Sequence, residues 1–187
     1  MDWRDKLKQR IGCEKRSAAD KWQAVFVLTG HEDIVKEKIE YALQGSSIRV
    51  VVPKRCIRER RAGRWLDVIR PLFPGYILLQ GSIDLQEYYL LKSVPGIIRC
   101  LKDNKEFYSI HPEEIKVINQ LMCNGDLIGI STAYQKDDKI IITDGPLLGK
   151  EGLIVAVDRR KGRARVKLSF LGDERTVDLS LRIIRTA

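Results

Sequence analysis

The chain has 187 residues, and Lys plus Arg outnumber Asp plus Glu by 34 to 25 for a formal charge of +9. That is length enough for one large or two small domains with real cores, and a basic balance that points to a polyanionic partner, nucleic acid first. No apolar run approaches the ~18 residues of a membrane span, and no apolar h-region follows Met1, so neither a membrane protein nor a secreted one is expected. Cys13, Cys56, Cys100 and Cys123 are widely spaced, without a CxxC or a Cys/His cluster. They read as reduced thiols of a cytoplasmic protein, not as a disulfide frame or zinc site.

Residues 1–20 are mostly charged and read as a basic arm (Arg4, Lys6, Lys8, Arg10, Lys15, Arg16) with no assigned role. Residues 22–28 form a β-branched and aromatic stretch, the first strand. Gly30-His31-Glu32 then opens a helix whose apolar face is Ile34, Val35, Ile39, Ala42 and Leu43. A second strand over 48–52 closes at Pro53. The next segment reads as a hairpin with Arg61-Ala62-Gly63-Arg64 at its tip, dense in arginine at Arg55, Arg58, Arg60, Arg61 and Arg64. Such a hairpin can track a phosphate backbone, or be an ordinary solvated tip.

Arg70-Pro71-Leu72-Phe73-Pro74-Gly75-Tyr76 follows, running into Ile77-Leu78-Leu79. The prolines exclude a helix, and the apolar run predicts a central strand buried on both faces. Phe73 and Tyr76 are then either a filled core corner or anchors for a partner. A second helix is expected over 84–92, capped by Asp84, with Leu85, Tyr88, Tyr89 and Leu91 or Lys92 inward. Val94-Pro95-Gly96 leads into a strand over 97–101, and Pro112 with Glu113-Glu114 marks a third helix start. This is an α/β sandwich around a sheet of about four strands.

After Met122 the pattern breaks, and 123–135 reads as a linker, part of it apolar enough to dock. Short strands over 139–143, 153–157, 164–170, 175–179 and 181–184, separated by Gly-bearing turns, predict a small SH3-like β-barrel. Gly149 and Gly152 are read as positions of close approach or positive φ. Arg159, Arg160, Lys161, Arg163, Arg165 and Lys167 crowd one turn and the strand after it, the last three alternating onto one face. The fold class is thus α+β: an arm (1–20), a first domain (21–122), a linker (123–135) and a barrel (136–187). His31 and His111 stand alone, with no nucleophile triad and no Walker loop, so no enzyme is expected.

Gly145-Pro146, Gly149-Lys150-Glu151-Gly152 and Leu153-Ile154 resemble a KOW motif, and the first domain resembles the amino-terminal domain of the NusG transcription factors. The matching residues there are Trp22, Gly30-His31-Glu32, Val51-Val52-Pro53, Arg70 to Tyr76, and Val94-Pro95-Gly96. The resemblance implies a monomeric, cofactor-free and metal-free factor that binds the clamp helices of RNA polymerase's largest subunit through Phe73, Pro74, Tyr76, Trp22 and Pro95. It implies that His31 and the Arg55, Arg58, Arg60, Arg61 and Arg64 hairpin face upstream or non-template DNA. In place of the Ile-Phe-Gly-Arg that housekeeping members carry for Rho or ribosomal protein S10, this chain has Phe170-Leu171-Gly172-Asp173. It resembles instead the LoaP branch of antiterminators. That implies binding of a nascent RNA hairpin by Lys150, Arg159, Arg160, Lys161, Arg163, Arg165 and Lys167.

Overall fold

The computed structural model describes residues 21–103, 106–107, 109–123, 125–136 and 139–184; the arm expected over 1–20 lies outside them. Four strands, β1 (Trp22–Val27), β2 (Arg49–Val51), β5 (Tyr76–Gln80) and β6 (Ile97–Cys100), form an antiparallel sheet in the order β2-β5-β1-β6. Ile77, Leu78 and Leu79 of β5 are wholly buried, as expected of an inner strand covered on both faces. Alternation divides their duties. Val25, Val27, Ile77 and Leu79 pack with Val35, Ile39 and Leu43 of helix α1 (Glu32–Ala42) and its C-cap, and with Leu91 of α2 (Leu85–Ser93). Ala24, Val51 and Leu78 face the other way, onto α3 (Pro112–Met122) and the barrel.

Several side chains expected inward are not. Ile34 is 52% exposed, Leu85 70% and Tyr89 61%, and Leu91 is the buried residue of α2. The reason for α2 is its short contact with the sheet, which one side chain fills. Its start is a full capping box: Asp84 accepts from the Glu87 N–H (2.8 Å) and Glu87 from the Asp84 N–H (2.9 Å). A short ribbon, β7 (Lys102–Asp103) with β8 (Glu106–Phe107), was not foreseen.

The arginine-rich hairpin is β3 (Lys54–Arg61) and β4 (Arg64–Pro71), in register from Lys54↔Pro71 to Arg61↔Arg64. The span expected as a linker carries two strands. β9 (Leu127–Ile128) pairs in parallel with the start of β3, and the Lys54 N–H donates to the Asp126 carbonyl at 2.7 Å. β10 (Ser131–Lys136) already belongs to the barrel, so Gly129 and Ile130 alone separate the two strands. The apolar residues Ile128 and Ala133, both fully buried, explain why this stretch packs rather than trails.

The barrel sheet runs β11 (Lys139–Asp144), β10, β14 (Asp173–Ile184), β13 (Arg163–Phe170), β12 (Ile154–Asp158). The two strands expected over 175–179 and 181–184 are one, β14. It pairs with β13 up to Ser180 and then, in parallel, with β10 from Leu181 to Ile184. Positive φ is found at Gly149 (φ +71) and not at Gly152, and close backbone approach occurs at Gly145 instead: a Cβ on Gly145 (φ +93) would lie 2.7 Å from the Ser131 Cα, whereas nothing lies within 4 Å at the other two. Ala164, Val166, Leu168 and Phe170 point inward from β13, and Arg165 and Lys167 outward.

Candidate functional site

The corner between β4 and β5 is held by the carboxylate of Glu32, at the start of α1. Glu32 is 3% exposed; its Oε1 accepts from the Gly75 N–H at 2.7 Å and its Oε2 from the Gly30 N–H at 2.9 Å. Gly75 has φ +82, and a Cβ there would meet the Phe26 ring at 2.8 Å, so no other residue fits without movement. The Val27 N–H donates to the Gly75 carbonyl at 2.8 Å and the Leu72 N–H to the Pro53 carbonyl at 2.7 Å. Phe73 and Tyr76 thus stand on fixed backbone.

Both aromatics are met by Phe170 of the barrel. The Phe73 and Phe170 rings stack at 4.0 Å between centroids and 2° between planes, and Tyr76 meets Phe170 edge-on at 5.3 Å. Such pairs add about 0.5–1.5 kcal/mol to what the buried area supplies. The Arg175 guanidinium lies 5.1 Å from the Tyr76 ring and 5.4 Å from the Phe170 ring, and donates to the Tyr76 hydroxyl at 3.4 Å. From α3, Glu114 accepts the Leu171 N–H (3.2 Å) and the Gly172 N–H (2.9 Å). Phe170, Arg175, Glu114 and Glu32 carry this contact. The sequence signalled them only weakly, through the aromatic at 170 and the acids at helix starts.

The other residues named beside Phe73 and Tyr76 fall elsewhere. Pro74 is exposed at the corner. Trp22 is 5% exposed within the shared core, at the end of β1 opposite Gln80 rather than Tyr76. Pro95 lines a separate shallow groove with Tyr41 and Ala42.

Along the hairpin, Arg58, Arg60, Arg61 and Arg64 are exposed, as is His31. Arg55 is not: it lies half-buried under the barrel and donates to the Asp178 carbonyl at 2.6 Å. Burial lowers its pKa, the Asp178 carboxylate opposes that, and the neighbouring Arg163 adds to it. Arg55 is therefore an interdomain contact. Arg70 holds Glu59 by two bonds, at 3.0 and 2.9 Å, and that pair keeps the Glu59 carboxyl below its ordinary value.

Much of the barrel's cationic face is paired within the chain. Arg163 and Arg165 both reach Asp178 at 3.5 Å, Lys167 reaches Glu174 at 2.6 Å, and Lys161 reaches Asp158 at 3.5 Å. Arg163 also donates to the Arg58 carbonyl. Among the described residues Arg159 and Arg160 have no acidic partner, both stand exposed on the β12–β13 turn, and Lys150 is half-exposed on the far side of β12 in the chain.

The sequence matches the family model described as "Transcription termination factor nusG" over residues 20–119 and the KOW motif over 136–168. It is similar to proteins described as "Transcription termination/antitermination protein NusG". The Thermus thermophilus protein is 24% identical over 172 residues, which cover 84% of this chain and 94% of that protein. The Escherichia coli protein is 25% identical over 174 residues, 89% of this chain and 96% of that protein. Among solved structures it resembles one described as "Domain interaction in Thermotoga maritima NusG", with a TM-score of 0.54 and 20% identity over 86% of this chain and 93% of that chain. That likeness is one of fold.

Proposed function

The chain belongs to the NusG family of transcription termination/antitermination factors, and from that premise we propose that it is an antitermination and processive-elongation factor without enzymatic activity. In this reading the first domain binds RNA polymerase through Phe73 and Tyr76, and the barrel binds a hairpin in the nascent leader RNA through Arg159, Arg160 and Lys161. The exposed hairpin arginines face upstream DNA. One observation carries the reading: two aromatics on rigid backbone form an apolar site that another aromatic, Phe170, fills by stacking. A site that accepts Phe170 is chemically fit to accept a partner's apolar side chain, and polymerase binding then requires the barrel to move aside. A domain contact is also what the Thermotoga maritima structure is described as containing.

The specialised, LoaP-like assignment is supported by Phe170-Leu171-Gly172-Asp173, whose turn here is occupied by Glu114, and by the unpaired Arg159 and Arg160. The test is a titration of the full chain against core RNA polymerase and, separately, against structured leader RNA with an unstructured RNA of equal length as control, each at two salt concentrations. Tyr76→Ala should weaken polymerase binding by about 2 kcal/mol or more, the loss of a buried aromatic anchor. An Arg159, Arg160, Lys161 triple alanine should lose hairpin selectivity and keep polymerase binding. Equal polymerase affinity for Tyr76→Ala would remove the first assignment. Weak binding of both RNAs alike, erased by salt, would remove the second and leave a general factor whose barrel recruits a protein such as Rho or ribosomal protein S10.

A further inference from the structure

Where the hairpin and the barrel meet, they enclose a cleft of about 370 Å³ that holds neither Phe73 nor Tyr76, although Arg58, Arg159 and Arg160, read above toward nucleic acid, line it. Its two walls come from different domains. In the β3–β4 ladder Arg58 opposes Asp67 and Arg60 opposes Trp65, so these four share one face of the ribbon. The Arg58 guanidinium lies 5.6 Å from the Trp65 ring centroid. The barrel contributes Arg159 and Arg160 from the β12–β13 turn, and Ser180 and Arg182, two residues apart on β14 and so on one side of it.

The composition is unusual for a mere seam. Arg58, Arg159, Arg160 and Arg182 line it against one carboxylate, Asp67, among the described lining residues. All four arginines are exposed, and their like charges raise the local concentration of anions, which a bound anion then neutralises. Ser180 is 3% exposed, and its hydroxyl has no hydrogen-bond partner among the described residues. A buried hydroxyl without a partner is costly, and Arg55 Nε and Arg163 Nε are buried without partners as well. Trp65 adds a half-buried flat ring beside the cations, a surface on which a base can stack, and Asp67 adds an acceptor for an amine or a sugar hydroxyl. The volume lies within the roughly 300–1,000 Å³ of small-molecule sites.

We propose that this cleft is a nucleotide-binding site built jointly by the hairpin and the barrel, taking a phosphorylated nucleoside, either free or as one residue of single-stranded RNA. The arginines hold the phosphates, and Trp65 stacks on the base. The site exists only while the domains are docked, so its ligand stabilises the docked arrangement in proportion to its affinity. Because docking covers Phe73 and Tyr76, the nucleotide opposes whatever uses them.

The test titrates the full chain with GTP, ATP, inorganic tripolyphosphate and an eight-nucleotide single-stranded RNA, by calorimetry at fixed salt. Arg58→Ala and Trp65→Ala, both on the hairpin, are the decisive variants, with circular dichroism and melting to verify folding. Arg58→Ala should weaken nucleotide or RNA binding about tenfold or more, the loss of a charge-assisted hydrogen bond. Trp65→Ala should weaken the base-bearing ligands about tenfold and change tripolyphosphate little. Phe170→Ala, which loosens docking, should also weaken binding, although Phe170 does not line the cleft. GTP or ATP binding with this pattern assigns a free nucleotide; binding of the RNA alone with the same pattern assigns a strand. No saturable binding, or binding indifferent to Arg58 and Trp65, overturns the proposal. Hairpin-RNA selectivity of the barrel should survive Arg58→Ala, so failure here is distinct from failure of the RNA reading above.

Discussion

Two hairpins in this molecule turn in the same way and end differently. β3 and β4 reverse through Ala62 (φ 46) and Gly63 (φ 79), and β13 and β14 through Leu171 (φ 58) and Gly172 (φ 81). Both are two-residue connections with positive φ at both central positions, the geometry whose twist matches the flanking strands. Each also places a residue with a Cβ in the left-handed region, at a cost of roughly 1–2 kcal/mol. At the first tip Ala62 is exposed, and the turn is held by the ladder and a long Arg60 hydrogen bond to the Gly63 carbonyl at 3.4 Å. At the second, Glu114 accepts both turn N–H groups, Leu171 packs on the core, and Phe170 beside it stacks on Phe73. One backbone device thus serves a solvated cationic tip in one place and an interdomain plug in the other. The difference is set by the side chains that flank the turn.

The comparison breaks most sharply at Phe170. It is fully buried and belongs to one apolar cluster that spans the first domain and the barrel. Phe170→Ala should cost roughly 3–5 kcal/mol of unfolding free energy, as for other buried aromatics, read by urea denaturation. It should also split a single transition into two as the domains lose their shared core. A cycle with Phe73→Ala isolates the stacking itself, with an expected coupling of about 0.5–1.5 kcal/mol. A single sharp transition in Phe170→Ala would mean that other contacts couple the two domains without this ring, and zero coupling would mean that the stacked pair itself adds nothing.

Glu114→Ala comes next. It leaves two turn N–H groups without their carboxylate acceptor, which should cost about 1–2 kcal/mol, limited because the side chain is half-exposed. The measurement is the same denaturation series, and the loss should shrink when Phe170 is already Ala, since the turn is then no longer held against α3.

These contacts also mark how far the sequence could be read. Strand and helix periods located β1, α1, β5 and α3, because burial on a face leaves a period in the residues themselves. The Arg61 to Arg64 tip was legible for the same local reason. The role of Phe170 was not: β13 alternates like any barrel strand, and an inward aromatic there looks the same whether it fills its own barrel or reaches a second domain. Glu32 and Glu114 read as acids at helix starts, which is what they are, and only tertiary structure supplies the backbone N–H groups they accept. Arg55 and Arg163 read as free cations, since sequence does not show which carbonyl will lie above them. The start of β10 at Ser131 was hidden because the face it buries carries Ser131 and Ala133, small residues that leave no hydrophobic period in the sequence.

A smaller effect separates the tips by sign. Ala62→Asn creates Asn-Gly, the pair best suited to this turn, and should stabilise by up to about 1 kcal/mol. The same change at Leu171 offers the same backbone relief but removes a side chain packed on the core, so Leu171→Asn should destabilise by about 1 kcal/mol. Thermal melts of the two variants should shift in opposite directions. Shifts of the same sign would mean that backbone strain, not packing, decides both turns.

The smallest effect is the acid response of the solvated hairpin. The Arg70 hydrogen bonds lower the Glu59 pKa, burial opposes them, and the charges of Arg70 and Arg61 add to the lowering. A carboxyl depressed in the folded state contributes stability that is present above its unfolded value, about 4.3, and is lost as pH falls through the folded value. The stability difference between the native chain and Arg70→Ala should therefore be present at neutral pH and vanish in strong acid. It should also fade in concentrated salt, because the pair is exposed and screened. The docked hairpin should respond differently at its tip, where removing Glu114 leaves two N–H groups to find water. A native-minus-Arg70→Ala difference that persisted through acid would show that Arg70, opposite Arg55 near the base of the ladder, acts through its aliphatic stem rather than through Glu59.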